Sequence, residues 1–262
     1  MLNLSLHSKK ALICGASQGI GKAIAIALAD LGATCILLSR NEDALKAAVA
    51  QLSVAEEQSH IYQVVDFNNQ DELKLIIEHL THEYSIDILI NNTGGPASGL
   101  IASADPLAFE QAFRQHLICN HILAQAVIPS MKEKRWGRII NVISTSVKIP
   151  INNLGVSNTI RAAVASWAKT LSNELAVYGI TVNSLLPGFI STSRLDAVAE
   201  GFAEREGISK ELMVEKMKDS VPAKRFGDPS EIAAVAAFVA SPAASYLNGI
   251  TIPVDGGRTG TI

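Results

Sequence analysis

The sequence predicts an α/β fold, a single domain built on a doubly wound parallel sheet. Short strands that are apolar throughout alternate with amphipathic helices over most of the chain, and strands of this kind need helices on both faces of a parallel sheet. The glycine-rich segment from Gly15 to Gly21 follows the first strand and opens the first helix, which is the context that a dinucleotide site requires. These features predict a Rossmann-like, nucleotide-binding sheet.

The composition favours one globular domain that acts on small molecules. The 262 residues are 48% hydrophobic and 18% charged, and no Pro/Ser/Gly-rich linker or charge run divides them, so we expect residues 1–262 to form one domain. The net charge of -3 and the scattered Lys and Arg residues argue against a nucleic-acid surface. No apolar run approaches the length of a membrane span, so we expect a cytoplasmic protein without a membrane partner.

The three cysteines, Cys14, Cys35 and Cys119, lie in apolar runs. Their odd number and the absence of paired spacings predict buried, reduced thiols rather than disulfides or a metal site. We therefore expect no bound metal.

The alternation of strands and helices can be followed along the chain. The first strand, Lys10–Cys14, leads into a helix whose apolar residues recur at helical spacing until Gly32 ends it. Further strands are predicted at 34–38, 60–66, 87–91, 138–143 and 181–186. Helices are predicted at 42–52, 70–84, 106–134 and 157–178, and 192–226 carries the spacing of two more.

Residues that follow the strands are informative, because ligands of doubly wound sheets bind beyond the carboxyl ends of the strands. The glycine turn and the free N–H groups of the helix behind it predict a pyrophosphate site. After the second strand comes Ser39-Arg40, with no carboxylate to accept hydrogen bonds from ribose hydroxyls. Arg40 can pair with a 2′-phosphate, which favours NADP over NAD, and a surface arginine at a helix start is the alternative.

Two further strand ends fit the wall of a nucleotide cleft. Asp66 ends the third predicted strand, and segment 91–96, which contains Asn92 and Gly94, follows the fourth. A turn-forming aspartate and a plain glycine loop are the alternatives.

The motifs of this chain, taken in order, resemble those of the short-chain dehydrogenase/reductase family over nearly its whole length. They are the glycine turn, the Asn92 loop, segment 137–144 (GRIINVIS), Val182-Asn183 with Pro187-Gly188, and Asp255-Gly256-Gly257. Within the family, the chain is most similar to the 3-oxoacyl-acyl-carrier-protein reductases. The cofactor contacts that the resemblance implies are Gly15, Ser17, Gln18, Gly19, Ile20, Gly21, Arg40, Asp66, Asn92, Gly94, Pro187, Gly188 and Ile190.

The catalytic pattern of the family is broken in this chain. The family uses a serine, a tyrosine thirteen residues later and a lysine four residues beyond that, assisted by an asparagine on the long helix. Counting from Ser144 places Ser157 and Arg161 at the tyrosine and lysine positions, and His116 takes the asparagine position. Serine is a far weaker acid than a phenol, and arginine stays protonated, although its planar fork can still hold ribose hydroxyls.

Two residues are candidate replacements for the missing proton donor. His116 carries an imidazole that ordinarily titrates near neutrality, and Lys148 lies four residues past Ser144. A packed helix-face histidine and a solvated loop lysine are the alternatives. For Ser144 we expect a polar contact with the substrate oxygen, and local capping of the backbone is the alternative.

The segment 192–226 is predicted to be a lid. In the family the corresponding segment closes over the cofactor and shapes the substrate pocket, and its apolar faces here suit an apolar or acyl substrate. A plain packing role is the alternative.

The resemblance implies an NADP-dependent oxidoreductase that transfers hydride between NADP(H) and a carbonyl or alcohol substrate, with a 3-oxoacyl thioester as one candidate. It also implies a homodimer or homotetramer through the helices at 106–134 and 157–178. A second hypothesis is a nucleotide-binding protein that has lost reductase activity and serves as a regulator or partner subunit.

Overall fold

The computed structural model describes residues 2–261, and within them seven strands form one sheet. The strands are β1 (Lys10–Cys14), β2 (Thr34–Ser39), β3 (Ile61–Val64), β4 (Ile88–Asn91), β5 (Gly137–Val142), β6 (Ile180–Pro187) and β7 (Thr251–Val254). Their order is β3-β2-β1-β4-β5-β6-β7, and every neighbouring pair is parallel. This confirms the doubly wound sheet. The chain reverses its direction of travel between β1 and β4, and a ligand crevice is expected there.

Nine α-helices connect or flank these strands in the described part of the chain. They are α1 (Gly19–Asp30), α2 (Glu42–Val49), α3 (Gln70–Glu83), α4 (Pro106–Phe113), α5 (Cys119–Lys134), α6 (Gly155–Leu175), α7 (Ser193–Glu206), α8 (Lys210–Asp219) and α9 (Pro229–Ala240). Short 3₁₀ segments lie at Ile101–Ser103, Thr145–Val147, Ala176–Tyr178 and Pro242–Ala244. Neither α9 nor β7 was among the predicted elements.

The predicted continuous helix at 106–134 needs a correction. A π-helical turn, Arg114–Ile118, separates α4 from α5. A π turn adds one residue to a helical turn, and the apolar spacing of the sequence carries no mark of it. His116 lies within this turn and is buried.

The two faces of the sheet support separate apolar cores. One core packs under α1 and α9, and the other packs under α3 and α5. Successive residues of a strand point to opposite faces, so Ile13 of β1 joins the first core and Leu12 joins the second. Both side chains are fully buried. The rigid sheet therefore fixes the strand ends from which the site residues extend.

The predicted pair of helices at 192–226 is confirmed as α7 and α8. They form a small core of their own, in which Leu195 and Ala199 of α7 pack with Met213 and Met217 of α8. The N-terminus of α7 is capped by Thr192, whose side chain accepts a hydrogen bond from the Leu195 N–H.

The cysteines are buried and unpaired, as predicted. Burial raises the pKa of Cys35 to about 12 and that of Cys119 to about 11, so both remain thiols at neutral pH. Across residues 2–261, no group of three or more His, Cys, Asp or Glu side chains is arranged to hold a metal ion. No helix in the same range combines the length and the apolar character that a membrane crossing needs.

Candidate active site

A cavity of about 540 Å³ opens at the carboxyl ends of the strands. Its walls come from the segments that follow β1 to β6, together with one face of α6 and the start of α7. Every residue of the predicted cofactor set lines this cavity except Gly21. Of the predicted catalytic residues, Ser144, Ser157 and Arg161 line it, whereas His116 and Lys148 do not.

The turn after β1 is held by Asn92. Its side-chain Nδ2 donates to the carbonyl oxygens of Cys14 (3.2 Å) and Gly15 (3.3 Å). Gly15 has a φ of 60°, and a Cβ atom at this position would overlap the Asn92 carbonyl oxygen. Only glycine adopts this backbone readily and leaves room for the Asn92 loop.

Gly21 acts behind the cavity wall rather than in it. A Cβ atom on Gly21 would overlap the Gly15 carbonyl oxygen, so this glycine lets α1 pack closely against the turn. Gln18 at the N-cap of α1 makes no side-chain capping bond. The first N–H groups of α1 are therefore left without a capping side chain beside the cavity, where they and the helix dipole can hold a phosphate.

The rim next to β2 carries the predicted 2′-phosphate site. Arg40 is exposed there and lines the cavity. The hydroxyls of Ser17 and Ser39 lie 2.9 Å apart beside it. Asp66 contributes a carboxylate to the lining of this cavity. Its Oδ1 accepts hydrogen bonds from the backbone N–H of Asn68 at 3.0 Å and from the Nδ2 of the same residue at 2.8 Å.

Ser144 follows β5 and lines the opposite end of the cavity. Its Oγ accepts a hydrogen bond from the Ser146 N–H at 3.1 Å. Ser144 therefore does cap the local backbone, which was the alternative to a contact with the substrate oxygen. This bond leaves the hydroxyl hydrogen of Ser144 available to a ligand, because a hydroxyl both accepts and donates.

Ser157 and Arg161 reach the cavity from one face of α6. They are four residues apart, so their side chains lie one above the other on the helix, and both are 8% exposed. Arg161 Nη1 donates to the Val142 carbonyl oxygen and Nη2 to the Thr93 carbonyl oxygen, each at 3.3 Å. These two bonds fix the guanidinium against the ends of β5 and β4.

A second arginine, Arg194, stands close to Arg161, and the sequence reasoning missed it. Arg194 belongs to the first turn of α7, lines the cavity and donates through Nη2 to the Pro96 carbonyl oxygen. Burial, and then the charge of Arg194, lower the pKa of Arg161 to about 10, so Arg161 stays charged at neutral pH. The sequence did offer a sign that Arg194 lies at the site. Arg194 comes two residues after Thr192, the N-cap of α7, and α7 follows β6, so its first turn lies near the carboxyl end of the sheet.

His116 is buried behind Thr93 and does not reach the cavity lining. It is 1% exposed, its Nδ1 lies 2.6 Å from Thr93 Oγ1, and its Nε2 is buried without a hydrogen-bond partner in the structure. Burial first, and then the charges of Arg161 and Arg194, lower the pKa of His116 to about 2. The expectation that this imidazole titrates near neutrality is therefore wrong, because two cations and low exposure keep it neutral.

Lys148 is separated from the cavity. It is the C-cap of the 3₁₀ segment Thr145–Val147, is exposed and does not line the cavity. Of the two candidate replacement donors, the structure brings neither to the wall that carries Ser144 and Ser157.

Comparison with known proteins agrees with this arrangement. The model of the family described as enoyl-(acyl carrier protein) reductase matches residues 15–259. The chain belongs to the short-chain dehydrogenase/reductase family. It is 34% identical to the NADPH-dependent reductase BacG of Bacillus subtilis, over 98% of this chain and 100% of BacG. It is also 34% identical to the 3-oxoacyl-[acyl-carrier-protein] reductase FabG of Vibrio cholerae, over 97% and 98% of the two chains.

A solved structure shows the same fold. The crystal structure of YwfH, an NADPH-dependent reductase involved in bacilysin biosynthesis, superposes with a TM-score of 0.91 at 33% identity. The match covers 97% of this chain and 99% of the other. The likeness to the short-chain dehydrogenase/reductase family therefore extends from the sequence to the arrangement of the whole sheet.

Proposed function

We propose that the protein is an NADP-dependent oxidoreductase that transfers hydride between NADP(H) and a carbonyl or hydroxyl group. The relatives reported above carry the names of NADPH-dependent and 3-oxoacyl reductases. The observation that carries the proposal is the presence of Ser144, Ser157 and Arg161 in the same cavity as the glycine turn. One cavity thus holds both a phosphate site and a group of hydrogen-bond donors.

The residues at the glycine end fit a dinucleotide phosphate. The uncapped start of α1 and the Ser17 hydroxyl supply neutral donors for a diphosphate, and Arg40 supplies a cation for a 2′-phosphate. Asp66 and Asn92 form the adjoining wall. When bound, NADPH supplies the hydride, and these residues set its position.

At the other end, the chain stabilises the charge that develops on a reduced carbonyl oxygen. The hydroxyls of Ser144 and Ser157 can donate to this oxygen, and the fixed charge of Arg161 lies beside them. Preorganised donors of this kind contribute about a hundredfold to a thousandfold in rate. The missing tyrosine removes a general acid worth about a hundredfold to ten-thousandfold, so we expect a neutral ketone to be reduced slowly.

The hypothesis of a protein that has lost catalysis has no support among the relatives, whose names describe reductases. The experiment that separates the two uses NADPH deuterated at the nicotinamide C4 with acetoacetyl-N-acetylcysteamine and simple ketones. We expect loss of the NADPH absorbance and deuterium on the carbinol carbon of the product. NADPH binding without transfer to any of these acceptors would favour the regulator or partner-subunit hypothesis.

We further propose that α7 and α8 act as a lid. Arg194, Leu195 and Val198 of α7 line the cavity, and Arg205 of the same helix donates to the Ser98 carbonyl oxygen at 2.6 Å. The bond between Arg205 and Ser98 joins α7 to the loop after β4, and the start of α7 forms part of the cavity wall. Hydrogen exchange of α7 with and without NADPH tests the proposal, and protection that does not change on binding would contradict it.

A homo-oligomer is proposed from the apolar surface of α4. Leu107 is 59% exposed and Phe113 is 41% exposed on this helix, and burying such side chains stabilises association. We expect the mass of a dimer or tetramer in light scattering at micromolar concentration. A monomer mass would contradict the proposal.

A further inference from the structure

The reaction end of the cavity holds two cations beside one glycine. A Cβ atom built on Gly95 would lie 3.3 Å from Arg194 Nη2 and 3.5 Å from Arg161 Nη2. The two guanidinium groups therefore border the same small volume, and both residues line the cavity. Like charges placed together in a partly enclosed site repel each other, so the arrangement needs a compensating anion or a strong structural reason.

The protein itself supplies no such anion among the described residues. Neither Arg161 nor Arg194 takes part in an ion pair there. The hydrogen bonds that hold them go to backbone carbonyl oxygens of Val142, Thr93 and Pro96. A buried guanidinium is ordinarily paired with a carboxylate, and Arg161 is 8% exposed.

The position of this pair decides which anion it fits. Arg161 stands one helical turn from Ser157 and bonds to Val142, two residues before Ser144, so the pair lies beside the donors assigned to the reacting oxygen. A 3-oxoacyl thioester is neutral at this point, and the phosphates of its carrier lie at the far end of a long arm. A carboxylate next to the carbonyl matches both the charge and the planar fork of an arginine.

We propose that the substrate is an oxo acid whose carboxylate binds between Arg161 and Arg194. This inference rests on the proposed function and narrows its substrate class. The cofactor diphosphate is the competing occupant, because Thr192, two residues before Arg194, lies beside Gly19 at the start of α1. The test must therefore separate loss of cofactor binding from loss of carboxylate binding.

The experiment titrates the protein, saturated with NADP⁺ so that no reduction occurs, with 2-oxohexanoate and with its methyl ester. We expect the carboxylate to bind at least about tenfold more tightly than the ester. Arg194→Gln should weaken carboxylate binding by about tenfold and ester binding by less than about twofold, with NADPH affinity unchanged. Arg194→Lys, which keeps the charge, should restore part of the carboxylate affinity.

Arg135→Gln is the matched control. Arg135 is exposed just before the amino-terminal end of β5, whereas the cavity lies at the carboxyl ends of the strands, and it donates to the Val177 carbonyl oxygen. Its loss removes the same unit of charge and should leave both affinities unchanged. If Arg135→Gln weakened carboxylate binding as much as Arg194→Gln, a general charge effect would replace the proposed site.

Three other results would overturn the inference. Equal affinity for the acid and the ester would show that Arg161 and Arg194 do not bind a carboxylate. An equal loss of NADPH affinity in Arg194→Gln would assign Arg194 to the cofactor diphosphate. A requirement for Arg194 with acetoacetyl-coenzyme A, but not with acetoacetyl-N-acetylcysteamine, would assign it to a carrier phosphate. Selective carboxylate binding without NADPH oxidation would instead sustain this inference and contradict the proposed function.

Discussion

At one end of the cavity, Gly15, Asn92 and the start of α1 hold one another through backbone atoms and a single amide side chain. At the other end, Ser157, Arg161 and Arg194 meet through side chains that extend from different elements. The first end depends on how closely backbones approach, so few residue types are tolerated. The second end depends on side chains. Here Ser157 and Arg161 stand where the family has a phenol and an amine, and Arg194 adds a second cation.

The largest expected effect is the loss of NADPH affinity when a side chain is added to the glycine turn. We expect Gly15→Ala to lower NADPH affinity by at least about a hundredfold, because the methyl group overlaps the Asn92 carbonyl oxygen and φ is positive. Fluorescence titration with NADPH measures the affinity. Gly207→Ala is the control, since Gly207 also has positive φ but meets no neighbour within 4 Å. NADPH binding by Gly15→Ala at the affinity of the unmodified protein would refute the close-approach argument.

The second prediction concerns the stability of the reaction end. The pKa of His116 is lowered to about 2, so between pH 6.5 and 2 the unfolded chain binds a proton that the folded chain does not. Stability is therefore present above the unfolded pKa and is lost as pH falls. This one residue should cost about 2 kcal/mol of unfolding free energy between pH 7 and pH 5.

Denaturant unfolding at the two pH values tests this prediction. His116→Asn should lose about 2 kcal/mol less than the unmodified protein on going from pH 7 to pH 5. His82→Asn, which removes an exposed imidazole from α3, should not reduce the loss in the same way. Identical pH dependence in His116→Asn and the unmodified protein would show that His116 titrates normally.

The third prediction concerns the rim of the cofactor end, where a side chain rather than the backbone acts. Arg40→Ala should reduce the preference for NADPH over NADH by about tenfold, because the cation for the 2′-phosphate is lost. Calorimetric titration with both cofactors measures the preference. Lys46→Ala removes a nearby exposed charge on α2 that does not line the cavity and should have no such effect. A preference for NADH in the unmodified protein would contradict the assignment of Arg40.

The grouping of the residues proposed to hold the cofactor was largely predictable from the sequence, because its determinants are local. The glycine turn and Arg40 lie within about one βα unit and the strand that follows it. Both line the same cavity in the structure. The reaction end was less predictable. Arg194 meets Arg161 only after α7 folds back over the loop that follows β4. The pKa of His116 is lowered by burial and by the charges of Arg161 and Arg194, which lie on other elements. The π turn also has no periodic signature.

The central claim is that the two ends of the cavity act independently, and the variant Ser157→Tyr with Arg161→Lys tests it most directly. NADPH affinity should stay within about threefold, while reduction of acetoacetyl-N-acetylcysteamine should rise by at least about tenfold because a phenol and its activating amine return. Ser157→Tyr alone should gain less. Steady-state rates and NADPH titrations of the three proteins decide the matter. Loss of NADPH binding in the double variant, or intact binding with no turnover in any of them, would contradict the account.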